Sequence, residues 1–134
     1  MQDEEYLKRV NGRSPFNVHN GITVKEVGDG FSVIEGEIGE NMKNPWGTAH
    51  GGYVYSLCDV AAGIAATNPR HRPCLTLSGS IYYLRPSEGT YLRAEGRVIK
   101  EGHKVVFVET NVYNDKGTHT ARGEFQIYLP EEKQ

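Results

Sequence analysis

No apolar run in this chain approaches the roughly 20 residues that a membrane-crossing helix needs. Residues 1–9 are mostly polar and charged, not the apolar stretch of a secretory leader. Cysteine is scarce: Cys58 lies on a stretch of small residues and Cys74 follows a proline, so both read as reduced packing residues without a disulfide framework. Charge of one sign is lacking too, with 15 Lys and Arg against 17 Asp and Glu for a net charge of −2. That balance supplies no field to hold nucleic acid or anionic lipid. No spacing of His, Cys and acids matches a zinc or di-iron set, and neither a Walker loop nor a dinucleotide fingerprint occurs. Ser56 and Ser78 lack the Gly-x-Ser-x-Gly elbow of a serine hydrolase. His19, His71, His103 and His119 stand isolated and read as surface or loop residues. The expectation is a soluble cytoplasmic protein without a metal or redox cofactor.

What the chain does have is strand. Its 134 residues fit one domain large enough for a hydrophobic core, with residues 1–20 as an N-terminal extension. Residues 4–10 can form a short helix, ended by Asn11-Gly12 and Ser14-Pro15. Alternating or β-branched segments follow at 22–27, 31–38, 74–84, 90–100, 104–114 and 118–129. Gly28-Asp29-Gly30 and Asn114-Asp115-Lys116-Gly117 mark turns, which suggests long antiparallel strands joined by tight hairpins. One helix interrupts them. Tyr53, Val54, Leu57, Ala61, Ile64 and Ala65 recur at three- and four-residue spacing, and the opposite side carries Ala62, Gly63 and Ala66. A helix apolar or small almost all round is buried on most sides, and this one ends at Asn68-Pro69. One buried helix with five or six long strands is an α+β domain in which a sheet wraps a helix.

The chemistry concentrates where a glycine-rich loop, Asn44-Pro45-Trp46-Gly47-Thr48-Ala49-His50-Gly51-Gly52, meets that helix. The first N–H groups of a helix have no internal acceptor and carry the positive end of its dipole. Gly51 and Gly52 either allow a ligand to approach those donors, as an oxyanion site does, or only permit a tight entry turn. Asp59 is the only carboxylate between Glu40 and Glu88. Burial would raise its pKa toward that of a general base; otherwise it is a structural acid bonded to backbone or to Tyr55. Asn44 is either an Asx turn before proline or an amide that positions substrate or water. His50 has no acidic partner nearby and suits an orienting hydrogen bond.

Asn44-Pro45-x-Gly47-x-x-His50-Gly51-Gly52, with Asp59 nine residues after the histidine, resembles the hotdog-fold acyl-CoA thioesterases of the PaaI type. Tyr82-Tyr83-Leu84-Arg85-Pro86 is similar to that family's strand ending, and residues 96–104 are similar to its β-hairpin; the resemblance spans about residues 21–129. It implies a hotdog fold and hydrolysis of an acyl-CoA thioester, with CoA as part of the substrate and no other cofactor. Gly51 N–H would polarise the thioester carbonyl, and Asp59 of the neighbouring subunit would act as nucleophile or as base on water. Asn44 would position water or thioester, His50 would support the loop, and Thr76 could hold the nucleophilic water. Tyr83, Leu84, Arg85 and Pro86, with Lys100, Gly102 and Lys104, fall where relatives contact CoA, although His103 stands where many members have Lys or Arg. The family implies a homodimer, often a homotetramer, with sites between subunits. A lone helix wrapped by one sheet agrees, because its edge strands need cover.

Two other functions share the fold: a non-catalytic acyl-CoA-binding or sensing module, and an enoyl-CoA hydratase. The hydratase needs an Asp and His pair that is not recognisable here, and residues 1–20 are too short for a helix-turn-helix of a DNA-binding regulator. The acyl group stays open. Trp46, Tyr53, Tyr55, Tyr82 and Tyr83 either stack on an aryl group or fill the core.

Overall fold

The computed structural model describes residues 4–67 and 72–131. Six strands form one antiparallel sheet: β1 (Ile22–Gly28), β2 (Phe31–Glu37), β3 (Leu75–Tyr83), β4 (Tyr91–Glu101), β5 (Val105–Asn114) and β6 (His119–Tyr128). Their spatial order is β1-β2-β4-β5-β6-β3. The β1–β2, β4–β5 and β5–β6 connections are short turns, as expected. In the last of them, Asn114 Oδ1 accepts from Lys116 N–H at 3.0 Å and Thr118 N–H at 2.9 Å. The β3–β4 connection is a correction to the hairpin expectation. β3 pairs with β6, so the chain must cross to the far side of β5 to begin β4. Strand pairing is a long-range choice that local turn signals do not report.

The long helix α3 (Gly51–Thr67) packs against every strand of the sheet. Among its buried residues, Val54, Leu57, Cys58, Ala61, Ala62, Ala65 and Ala66 belong to one core with Ile34, Leu92, Ala94, Val108, Val112 and Phe125. Small residues let the helix lie close. A Cβ on Gly96 would stand 2.5 Å from the Ala61 carbonyl oxygen, which also accepts from Ser32 Oγ–H at 2.7 Å. The face carrying Ser56, Asp59, Val60, Gly63 and Ile64 is only half-buried, so the expected burial on most sides holds toward the sheet and not on this face. The expected helix end at Asn68-Pro69 lies outside the described residues.

The N-terminal segment also differs from expectation. α1 (Glu4–Arg13) runs through Asn11-Gly12 instead of ending there, and a second helix, α2 (Pro15–His19), follows. Ser14 is the N-cap of α2: its Oγ accepts from Asn17 N–H at 3.3 Å, with Pro15 in the first turn. Ser-Pro is therefore a start signal here, because proline's missing N–H is harmless at the first helical position. Asn11 is drawn off its helix to β1, donating to Val24 O at 3.0 Å and accepting from Val24 N–H at 2.7 Å. Both helices contact β1, which leaves β3 as the edge that no other element covers among the described residues.

Candidate active site

The loop before α3 is held by its own polar groups. Asn44 Oδ1 accepts from Trp46 N–H at 3.0 Å and Thr48 N–H at 3.1 Å, while Asn44 Nδ2 donates to Thr48 Oγ1 at 2.8 Å. Gly47 closes the turn at φ +86°, a conformation that side chains resist. Ala49 N–H donates to Ser87 O at 3.0 Å and pins the loop to the β3–β4 connection. Asn44 thus performs the Asx-turn role, and its amide keeps a second hydrogen for another acceptor. Trp46 stands 83% exposed at the loop tip.

His50 caps α3. Its Nδ1 accepts from Gly52 N–H at 2.9 Å, and its carbonyl accepts from Tyr53 N–H at 2.9 Å and Val54 N–H at 3.1 Å. That acceptance puts the ring proton on Nε2. With Gly52 capped, Gly51 N–H has no acceptor among the described residues. Tyr83 leans over the same corner from the end of β3 and donates its hydroxyl to Gly51 O at 2.8 Å.

Asp59 lies two turns further along α3, about 12 Å by helical rise. Its partner is neither backbone nor Tyr55 but Thr76, whose hydroxyl donates to Asp59 Oδ1 at 2.5 Å. Tyr55 turns instead edge-on to Phe125, with ring centroids 5.2 Å apart. The bond to Thr76 depends on an irregularity in β3. Thr76 pairs with Ile127 and Ser78 with Gln126, so Leu77 is an extra residue. Without it, alternation from Gly79 would turn Thr76 away from the helix; the bulge puts Thr76 in the inward row beside buried Ile127.

Asp59 and Thr76 stand at a cleft of about 790 Å³ between α3, the α1–α2 corner and the start of β3. Phe16, Val60, Gly63, Ile64 and Cys74 line it. A smaller cleft holds His50, Gly52 and Tyr53, and Phe16 and Ser56 border both. None of the five aromatic residues expected as pocket candidates lines the Asp59 cleft. Tyr53 is buried, its hydroxyl near Glu37 O at 2.7 Å and Asn20 O at 3.1 Å. Burial pushes its pKa up to about 12, with the Glu37 carboxylate adding to the rise. Tyr82 is exposed on β3. Reading the Ser-Pro pair as a stop hides Phe16; a capped helix start signals a second helix carrying this ring, while its place beside α3 is a long-range contact.

The expected CoA contacts separate into two groups within one chain. Tyr83, Leu84, Arg85 and Pro86 lie where β3 ends, with Leu84 and Arg85 N–H both donating to Thr120 O. Lys100, near the end of β4, and Gly102 and Lys104 of the β4–β5 turn lie at the opposite end of the sheet, and Lys104 pairs with Glu131 at 3.5 Å. Gly51 goes with the first group; Asp59 goes with Thr76, near the start of β3. Among the described residues no group of three or more His, Cys, Asp and Glu is placed to hold a metal ion, and no helix is long and apolar enough to cross a membrane.

Comparison with known proteins adds to this geometry. The thioesterase superfamily model matches residues 47–121, a span that includes His50, Gly51, Asp59, Thr76 and Tyr83. A putative esterase of Saccharolobus solfataricus is 28% identical over 111 residues, covering 81% of this chain and 74% of the relative. The medium/long-chain acyl-CoA thioesterase YigI of Escherichia coli is 27% identical over 124 residues, 80% of each chain. Among solved structures, the PaaI protein of the Escherichia coli phenylacetic acid degradation operon superposes with a TM-score of 0.87 at 20% identity, covering 97% of this chain and 94% of that one. The shared fold is a long antiparallel sheet around one helix, the hotdog arrangement.

Proposed function

This chain belongs to the thioesterase superfamily, and from that membership we propose that it hydrolyses acyl-CoA thioesters to the free acid and CoA. The observation that carries the reading is the Asp59–Thr76 pair: the one acid of α3, oriented by a hydroxyl, at the lip of a cleft large enough for an acyl group. The relatives named as acyl-CoA thioesterases support acyl-CoA as the substrate class.

In the proposed reaction Asp59 takes a proton from water as the water oxygen attacks the thioester carbonyl carbon. Thr76 occupies one carboxylate oxygen and leaves the other for the water. The tetrahedral oxyanion forms against the unpaired Gly51 N–H, then collapses with release of the CoA thiolate, which regains a proton. Aligned backbone donors of this kind supply about 3–4 kcal/mol of transition-state stabilisation. Direct attack by Asp59 gives the same products through an acyl anhydride. A single turnover in isotopically labelled water detects that route where water opens the anhydride at the aspartyl carbonyl, because label then enters the Asp59 carboxylate.

Gly51 and Asp59 are too far apart along one helix to serve one carbonyl, so the reading takes them from two subunits. β3 is the uncovered edge, with Leu75 64% and Leu77 56% exposed, and apolar edge strands attract a partner. An antiparallel β3 pair about a two-fold axis near Gly79 sets the Thr76 end of one strand beside the Tyr83 end of its partner. That pairing also brings the partner's Tyr83–Pro86 segment to the same end of the sheet as Lys100–Lys104, three to four strands away, a span of about 15–20 Å that an extended CoA would have to bridge. Asn44's free amide hydrogen and His50 remain with Gly51 in this arrangement.

The test is thiol release from a panel of acyl-CoAs by the purified protein. Hydrolysis that falls about 100-fold or more in Asp59→Ala and Asp59→Asn supports the assignment. Binding of acyl-CoA without turnover, or full activity in both variants, replaces it with the non-catalytic binding module.

A further inference from the structure

The cleft at Asp59 has a shape and lining that say more than acyl-CoA. Phe16, Val60, Ile64 and Cys74 face it, while most of its polar side chains are engaged with backbone. Ser56 Oγ–H donates to Gly52 O at 2.8 Å, and Thr67 Oγ1–H to Gly63 O at 2.9 Å. Ser14 Oγ accepts from Asn17 N–H, and the Arg72 guanidinium donates to the carbonyls of Leu129 and Pro130. Arg13 remains, at the exposed rim, and so does the half-buried Asn17 beside Ser14 at the α2 end, which is engaged through its backbone N–H. Beyond Asp59 and Thr76, the stretch along α3 and the start of β3 is lined by Val60, Gly63, Ile64 and Cys74.

The cleft is also long. Asp59, Val60, Gly63, Ile64 and Thr67 mark successive turns of one helix face, about 12 Å from the acid to the last of them. Gly63 is the gap in that row. Glycine in a helix interior is unfavourable relative to alanine, and folding does not demand it here. A Cβ at this position would meet nothing closer than Cys74 Sγ at 3.4 Å, an ordinary contact. The missing side chain keeps open the space between Val60, Ile64 and Cys74.

We infer that this groove is the acyl subsite for an unbranched apolar chain, that Gly63 sets how far the chain reaches, and that Phe16 of α2 forms its outer wall. The inference rests on the thioesterase reading for its mouth at Asp59, and it adds the class of acyl group and two specificity-determining residues. Phe16 is 53% exposed, and an apolar ring of that size gains contact when a methylene chain lies beneath it. A linear chain suits a groove along one helix face better than a compact ring does.

The experiment is a chain-length profile of kcat/KM, from butyryl- to decanoyl-CoA with glutaryl-CoA as the charged control, for the intact protein and for Gly63→Ala, Gly63→Val and Phe16→Ala. The decanoyl-to-butyryl ratio should fall about tenfold in Gly63→Val, less in Gly63→Ala, and should fall in Phe16→Ala through a raised KM for decanoyl-CoA. Gly63→Ala adds a favourable helix residue, so at least one variant folds. A ratio unchanged in all three variants, or a preference for glutaryl-CoA, overturns the inference. If the unaltered protein releases no thiol from any substrate, the thioesterase reading fails separately. Calorimetry with decanoate then tests the groove alone: binding that Gly63→Val weakens supports it, and binding insensitive to Gly63 and Phe16 overturns it.

Discussion

Thr76 donates its hydroxyl proton to Asp59 Oδ1 across 2.5 Å, and the extra residue Leu77 is what lets the two meet. A regular β3 would turn Thr76 to the outer face and leave Asp59 without this partner. The bulge therefore converts an edge strand into part of the site, while Leu77 itself is pushed to the exposed side.

Thr76→Val keeps shape and β propensity but removes the donor. A hydrogen bond to a charged group is worth about 1.5–3 kcal/mol, so kcat should fall about ten- to a hundredfold with little change in thermal midpoint. Thr76→Ser, which restores the hydroxyl, should recover most of the rate. Steady-state kinetics on both variants check this.

Tyr83 holds Gly51, the proposed oxyanion donor, by donating to Gly51 O at 2.8 Å. In Tyr83→Phe the ring stays and that bond is lost. A neutral hydrogen bond worth about 1 kcal/mol corresponds to a loss of about fivefold in kcat. The loss should appear in kcat more than in KM if the bond orients the Gly51 N–H.

Packing of α3 on the sheet rests on close approach at Gly96, where a Cβ would stand 2.5 Å from the Ala61 carbonyl oxygen. Backbone cannot yield as the tip of a side chain can. Gly96→Val should therefore destabilise the fold by about 2–4 kcal/mol, read as a lower urea midpoint at unchanged slope.

Tyr53 gives a pH prediction. Its folded pKa is raised from 10.0 to about 12, first by burial and then by Glu37. Above pH 10 the unfolded chain loses this proton while the folded chain keeps it. The stabilisation is thus fully present below pH 10 and is lost as pH rises toward 12, amounting to about 2–3 kcal/mol. Cys58, raised to about 11 chiefly by burial, acts in the same direction from pH 9 upward. In Tyr53→Phe the alkaline fall in denaturation midpoint should be shallower.

Much of this was legible in the residues because the signals are local. Alternation located every strand to within a residue or two, Asn114–Gly117 and Gly28–Gly30 marked their turns, and the small-residue face of α3 announced a helix laid against a sheet. The misses are of two kinds. Ser14-Pro15 is ambiguous in sequence because a proline stop and a proline start look alike without the hydrogen bond that Ser14 Oγ accepts from Asn17 N–H. The placement of β3 at the edge, its bulge at Leu77 and the position of Phe16 beside α3 depend on contacts between distant segments, for which a linear pattern holds no record.

The division of the site between subunits can be tested without a structure of the assembly. Gly51→Pro deletes the Gly51 N–H, which has no acceptor among the described residues, at a helix position where proline is tolerated. Asp59→Asn removes the proposed base. Each variant alone should be nearly inactive, because every site in its homodimer lacks one partner. When the two are mixed and allowed to exchange subunits, each mixed dimer pairs the intact Asp59 of one chain with the intact Gly51 of the other, once per dimer. Random exchange makes half the dimers mixed, so activity should return to about a quarter of the unaltered protein's. Leu75→Lys with Leu77→Lys in both chains replaces exposed apolar residues by charge on the edge strand, and should yield monomers in sedimentation and abolish the recovery. No recovery on mixing, with exchange verified by a labelled subunit, would place Gly51 and Asp59 in separate roles.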